Sequence, residues 1–468
     1  MQKTIAPVIR TAMIGACFFR STPISSTHKG INQLFHEGCI DDHTNGAKCL
    51  TVAQRGCFTL CRNRLSFRIG GAFGRAYRHV QHRPQVLLMH QLPLAGIRVV
   101  EFSHMVMGPT CGLVLADLGA EVIKIEPPGK GDRTRYLVAS GTGFFPAFSR
   151  NKKSVTLDTE NAEELELLRR LIDTADVVVE NFRPGGLAAK GLGYEALSAR
   201  NPRLIYCSLK GYLPGPYENR TALDEVVQMQ SGLAYMTGPP GRPLRAGAPV
   251  NDMMGGMFGA ISILGALRQR DASGRGQYLQ AGLFENAAFL VSTAMLQQAI
   301  TGKAPDPMPA GRRAWGVYDV FDTADGEQIF IGVVTERQWE IFTRELNEPA
   351  LSNADYASNT ERAKRRETLI PLVQSFLKTR NVAELEEMCA RAGLPYSRIA
   401  KPWDLFEDAH LLASGGFHEV TLSDGSRAKV PALPMQFGAE RLPLRHDLPS
   451  PGQHNAEILD PLRKPDGK

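Results

Sequence analysis

The run "IRVVEFSHMVMGPTCGLVLADLGAEVIKIE" (residues 97–126) decides the fold. Its first six residues, Ile97–Phe102, are short, β-branched and apolar, and they predict a buried strand. "SHMVMGP" is a loop, "TCGLVLADLG" a helix, and Glu121–Glu126 the next strand. A strand, a helix and a second strand in about thirty residues form a βαβ unit, whose strands lie parallel. Working outward, "PPGKGD" breaks the chain. A helix over Asn161–Ala175 leads into a strand over Asp176–Phe182, and another helical stretch into a strand over Arg203–Tyr212. "GRGQYLQAGLFENAAFLVSTAMLQQAITG" adds one more strand and a long helix. Strands alternating with helices predict an α/β protein with a Rossmann-like parallel sheet covered on both faces.

The character changes after Gly302. "GVYDVFDTADGEQIFIGVV" predicts a hairpin turning at Asp325-Gly326, and "HEVTLSDGSRAKVPA" a second turning at Asp424-Gly425. Helices over Glu361–Lys378 and Asn381–Ala392 lie between them. The expected organisation is an extension over 1–88, a large α/β domain over 89–302, a smaller α+β domain over 303–430, and a closing segment over 431–468 that returns to the large domain.

The chain has 468 residues, 43% apolar and 22% charged, with a formal net charge of +6. Much of the basic excess lies in the first 88 residues, where only Glu37, Asp41 and Asp42 oppose twelve Lys and Arg. That composition fits a transit peptide, hence the mitochondrial matrix. The favoured reading is upstream sequence outside the functional protein, since Met89 and "HQLPLAGIRVVEF" read as a domain start, and the expected compartment is then the cytoplasm. Beyond it the chain is nearly neutral, which gives no reason to expect nucleic-acid binding. No uninterrupted apolar run reaches the ~18 residues of a membrane span. Five of the eight cysteines also fall in the extension. Cys57 and Cys61 lack a second ligand pair at zinc spacing, and no metal site is expected.

Common enzyme signatures are absent. No G-x-G-x-x-G follows the first strand, and there is no P-loop or G-x-S-x-G. His104 sits in the loop after the first strand, where parallel sheets place ligands, or is simply a structural group. The segment "RAGAPVNDMMGGMFGAISILGALRQR" (residues 245–270) reads as a helix with one carboxylate, Asp252, ahead of Gly255, Gly256 and Gly259. Glycine inside a helix costs roughly 1 kcal/mol relative to alanine. Asp252 either favours the helix dipole or serves chemistry. In the second case the glycines would let a ligand approach, and N–H groups near Gly255 and Gly256 would hold an oxyanion.

Eight blocks carry a resemblance: "LAGIRVVEFSHMVMGP", "LADLGAEVIKIEPPGKGD", "SRNKKSVTLD", "VVENFRPGGLAAKGLGYEAL", "NPRLIYCSLKGY", "SGLAYMTGPPGRPLRAG", "VNDMMGGMFGAISILGALRQRDASGRGQ" and "GQHNAEIL". In order and spacing, from about Leu94 to Leu459, they resemble the class III CoA-transferases, also called the CaiB/BaiF family. The resemblance implies transfer of coenzyme A from an acyl-CoA to a free carboxylic acid. Asp252 would be the nucleophile, working through an anhydride and an aspartyl-CoA thioester, with no permanently bound cofactor. It also implies a homodimer of two interlocked open rings.

The resemblance places His104, Met105, Val106 and Met107 against the CoA, together with Asn181, Phe182 and Arg183 and the turn at Leu157 and Asp158. Arg183 and Lys190 are expected to meet phosphates. Pro127 and Val106 stand where formyl-CoA transferases carry arginine and glutamine, and no glycine-rich lid is evident near Gly311. These departures argue against formyl-CoA and oxalate. Leu223 stands where the racemases of this fold carry a histidine, and leucine cannot move a proton. The alternatives are therefore a racemase or epimerase lacking one of its two bases, or a non-catalytic acyl-CoA-binding relative. Arg312 and Arg313 form either a solvated basic turn or a site for the second carboxylate of a dicarboxylic acid.

Overall fold

The computed structural model describes residues 92–310 and 314–463. The extension over 1–88, Cys57, Cys61, Gly311, Arg312 and Arg313 lie outside the described residues.

In chain order the large unit contains β1 (Arg98–Phe102), α1 (Met107–Asp117), β2 (Glu121–Glu126), α2 (Phe144–Phe148), β3 (Lys152–Thr156), α3 (Ala162–Asp173) and β4 (Val177–Glu180). It continues with α4 (Tyr194–Arg200), β5 (Ile205–Lys210), α5 (Asp224–Gln230), α6 (Leu233–Thr237), α7 (Val250–Ser273), β6 (Tyr278–Gly282), α8 (Leu283–Leu290) and α9 (Ser292–Thr301). Six of these strands form one sheet in the order β3-β2-β1-β4-β5-β6, every pair parallel. This is the doubly wound Rossmann order, which reverses between β1 and β4.

Continuous apolar strands bury both faces of the sheet. Val99, Val122, Val177, Val179 and Cys207 face α1 and α7, meeting Leu115, Ala260 and Ile263. Val100, Ile123, Val155 and Val178 face the other way, onto Leu168, Leu171 and Ile172 of α3. Asn161 caps α3 by accepting from the N–H groups of Glu163 and Glu164, as a helix start requires.

The smaller core is built by β7 (Val317–Asp322), β8 (Gln328–Val333), α10 (Glu336–Leu346), α11 (Asn359–Lys364), α12 (Arg366–Leu377), α13 (Val382–Ala392) and β9 (Tyr396–Arg398). The hairpin at Asp325-Gly326 is present as β7–β8, with β9 antiparallel on its edge. After α14 (Ala409–Ala413) comes the second hairpin, β10 (Phe417–Thr421) with β11 (Arg427–Pro431). It does not join the small core. It packs on α2, and Leu433 just beyond it joins Val106, Leu113 and Phe148. A boundary at 430 therefore cuts strand β11. The last helix, α15 (Asn455–Arg463), lays Ile458 and Leu459 into the core beneath α3.

The expectation of no apolar stretch of membrane-spanning length needs correction at α7. Its 24 residues are long and apolar enough to cross a membrane by length and composition alone, a test that the core helix of a soluble protein also passes. In the fold its glycine face lies against α1 instead. A Cβ on Gly256 would sit 2.4 Å from the Met107 carbonyl and 2.7 Å from Thr110 Cβ, and one on Gly259 2.7 Å from Leu209 Cδ2. The glycines let two helices approach closely.

Candidate active site

The sheet's order reverses between β1 and β4, so the loops leaving these two strands diverge and open a crevice. The structure ties those loops together. Asn181 after β4 accepts from the His104 backbone N–H at 3.1 Å through Oδ1 and donates to the His104 carbonyl at 3.0 Å through Nδ2. Phe182 stands edge-on to the His104 ring, 5.3 Å between centroids. Burial holds the imidazole pKa below its usual value; Asp132 opposes that shift and Lys124 adds to it.

A buried ionic group underlies the β1–α1 loop. Lys152 of β3 donates to Glu101 Oε2 at 2.7 Å and to the Pro109 carbonyl at 2.8 Å. Lys124 of β2 donates to the Ser103 carbonyl at 2.6 Å and pairs with Asp132 at 2.9 Å. Asp132 accepts from Thr134, whose hydroxyl accepts from the Met105 N–H at 3.0 Å. Met105 adopts a left-handed backbone with φ 63°. For a residue with a Cβ that conformation is strained. The loop keeps its shape because both ends are anchored to buried charges.

Met107, which opens α1, touches the first turns of α7. A Cβ on Gly255 would come within 2.6 Å of its Cε. Asp252 is the third residue of α7 and is half-buried. Burial first, then the negative charges of Asp224 and Glu225, push its pKa up from 3.8 to about 7. The backbone around it is engaged. The N–H groups of Asn251 and Asp252 both donate to Asp224 Oδ2, at 2.8 and 3.0 Å. Asn286 of α8 donates to the Asn251 carbonyl at 2.9 Å.

These contacts show how the backbone at the start of α7 is engaged. An α-helix leaves only its first four N–H groups free. In α7 the N-cap is Pro249, which has no N–H, and the others belong to Val250, Asn251 and Asp252, which donate to Ala248 and Asp224; Met253 makes the first helical bond, to Pro249. The N–H groups of Gly255 and Gly256 fall within the helical ladder. Both glycines pack closely on α1.

Of the other residues singled out, His104 meets Asn181 and Phe182 where the loops leave β1 and β4, with Met105 beside it, whereas Val106 and Met107 are buried in the core behind that loop. Arg183 follows Phe182, exposed at the mouth of a cleft of about 290 Å³ that is also lined by Glu180, Tyr206, Lys210 and Tyr212. Asp252 does not line that cleft. Leu157 and Asp158 lie just past the end of β3, and Lys190 pairs there with Glu160. Leu223 is exposed and immediately precedes α5. Sequence reasoning missed Asp224, Lys124 and Lys152, whose functions depend on partners far away in the chain. Among the described residues no three His, Cys, Asp or Glu side chains cluster as metal ligands.

Known proteins are similar to this chain over most of its length. The chain is 33% identical over 385 residues to a succinate–glutarate CoA-transferase of Agrobacterium fabrum, covering 79% of this chain and 96% of that one. It is 32% identical over 377 residues to a succinyl-CoA–D-citramalate CoA-transferase of Chloroflexus aurantiacus, covering 79% and 94%. A solved CaiB/BaiF family protein from Brucella suis superposes with a TM-score of 0.70 at 32% identity, covering 79% and 99%. The pattern of CoA-transferase family III runs through residues 94–455, and the chain belongs to that family.

Proposed function

We propose that this protein moves coenzyme A from a dicarboxylic monothioester to a second dicarboxylic acid, with Asp252 as the nucleophile. The observation that carries the proposal is the half-buried Asp252 in the first turn of α7, beside the crevice loop, within a chain that matches family III along its body. The relatives named above act on succinate with glutarate or on succinyl-CoA with D-citramalate, which supports dicarboxylic substrates.

A water-solvated carboxylate is a poor nucleophile; partial burial strips that solvation and raises its reactivity. A carboxylate oxygen of Asp252 attacks the thioester carbonyl. The new C–O bond forms, the C–S bond breaks, and CoA leaves as thiolate with the electron pair. The thiolate then attacks the aspartyl carbonyl of the mixed anhydride and releases the donor acid as its carboxylate. This leaves an aspartyl-CoA thioester. The acceptor carboxylate repeats the two steps in reverse, regenerating Asp252. No net proton, oxidant or reductant is consumed.

His104, Met105, Asn181 and Phe182 would hold the pantetheine arm in the crevice, with Val106 and Met107 anchoring their loop in the core. Arg183 would meet a phosphate. Lys190, Leu157 and Asp158 border the same end of the sheet. Self-association into a homodimer belongs to the same proposal; the exposed apolar side chains of α7, α8 and α9 support it.

The test is covalent trapping. Succinyl-CoA alone, followed by rapid quench and peptide mass spectrometry, is expected to show an adduct on the peptide carrying Asp252 and none in Asp252→Asn. An adduct elsewhere, or turnover by Asp252→Asn, would overturn the assignment. A panel of mono- and dicarboxylic acceptors then reads the substrate class.

A further inference from the structure

α7 begins without a cap of its own. Pro249 stands at the N-cap position, and proline has no side-chain oxygen to accept from the turn. The acceptor comes from another helix. Asp224, the first residue of α5, is 4% exposed and places Oδ2 against the N–H groups of both Asn251 and Asp252. Its Oδ1 accepts from Gln228 Nε2. Gln228, fully buried, accepts in turn from the Ala246 N–H at 2.8 Å and so fixes the segment that leads into α7. The carboxylate accepts from three groups, two of them 27 and 28 residues along the chain and the third one helical turn away.

We propose that Asp224 is a positioning residue for the transfer reaction: it fixes the backbone of Asp252 and keeps a negative charge beside the nucleophile, so that acylation of Asp252 removes a like-charge repulsion. The proposal rests on Asp252 being the nucleophile. A helix N-terminus ordinarily stabilises an anion in its first turn. Here Asp224 occupies that position, and Asp252 receives the repulsion instead. When Asp252 attacks, its charge leaves with the departing sulfur and the aspartyl group becomes neutral. Both covalent intermediates are neutral at Asp252, so the fixed charge of Asp224 favours them over the resting carboxylate. The raised proton affinity of Asp252 is the same effect read with a proton in place of the acyl group.

The other charged neighbour of Asp252 is Glu225 on α5, which pairs with Arg245 at 3.2 Å on the surface. α1 presents Met107 and Thr110 to the first turns of α7, and α8 presents Leu283 and Asn286. None of these four ionises. Asp224 is thus the buried charge of the site.

The experiment compares Asp224→Asn and Asp224→Ser, two neutral residues that keep a capping oxygen, with wild type and Asp252→Asn. Succinyl-CoA and glutarate serve as probe substrates, and kcat/KM is followed against pH beside the melting temperature. In Asp224→Asn the acid limb of the profile is expected to move down by on the order of one pH unit. The plateau kcat is expected to fall by about tenfold, the size of one pKa unit of lost charge interaction. KM for succinyl-CoA and the melting temperature should stay close to wild type. Should the asparagine variant not fold, the serine variant carries the same test. A profile in either folded variant that superposes on wild type, or a kcat loss with the acid limb unmoved, would overturn the proposal. Turnover by Asp252→Asn would instead remove the nucleophile itself, so the two failures are distinguishable.

Discussion

At the scale of the residue, Asp252 carries two opposing demands. It must ionise to attack, yet burial and the charges of Asp224 and Glu225 disfavour its ionised form. This has a consequence for stability with a definite sign. The folded protein binds the Asp252 proton up to about pH 7, whereas the unfolded chain releases it near the ordinary carboxylate value of 3.8. Between those limits the folded state holds more proton, so this group's contribution to stability falls as pH rises. Asp252→Asn carries no such charge. It is expected to be more stable than wild type at pH 8 by roughly 2–4 kcal/mol, with the difference closing toward pH 4. Denaturant unfolding of both proteins at the two pH values measures it, and equal midpoints at pH 8 would contradict the picture. Asp252 stood out in the sequence because it is a lone acid before an apolar helix. Asp224 did not, although it follows Leu223, a position the sequence did single out. Its role comes from accepting N–H groups 27 and 28 residues downstream, a distance no local pattern encodes.

Elements were legible where local chemistry alone forms them. β2 spans Glu121–Glu126 as expected, and both Asp-Gly hairpins turn where expected. Failures came where distant partners override local composition. β3 carries Lys152 and Lys153, which give it no apolar strand pattern, yet Lys152 is fully buried and bonded to Glu101. Breaking such a buried pair leaves an uncompensated charge. Lys152→Met is expected to cost about 3–5 kcal/mol and to loosen the Ser103–Met107 loop, raising KM for acyl-CoA. Paired unfolding and kinetic measurements would show it. The single helix expected after β6 is two, α8 and α9, meeting at Val291. The glycines of α7 give a graded test of close packing. At Gly255 a new methyl meets the flexible end of Met107, while at Gly256 it meets backbone of α1. Gly255→Ala is therefore expected to change stability by less than ~1 kcal/mol, and Gly256→Ala to lose about 1–3 kcal/mol. Melting temperatures in the reverse order would mean that these glycines do not set the α1–α7 spacing.

At the scale of the whole molecule, the remaining feature is an apolar surface. Ile261 of α7 is 59% exposed, Phe289 of α8 63% and Ile300 of α9 81%. Met257, Phe258, Leu264, Met295 and Leu296 on the same three helices are also exposed. Soluble monomers rarely leave contiguous apolar surface on this scale, so a second copy of the chain is the expected cover. Neither composition nor periodicity revealed this, because the pattern of α7 is apolar nearly all round; the homodimer entered through resemblance alone. Light scattering on the eluted protein is expected to read a dimer, and Ile261→Asp with Phe289→Asp to weaken it. The manner of pairing has its own signature. Two chains that meet face to face separate and re-form at a rate set by the interface. Two chains threaded through one another cannot part until one of them opens, so exchange requires unfolding. Mixing differently tagged dimers below the melting transition is therefore expected to yield no hybrids if the pair interlocks, and hybrids only after denaturation and refolding. Rapid hybrid formation under native conditions would establish a simple surface contact instead, and a monomer in the untagged protein would remove the dimer from the proposal.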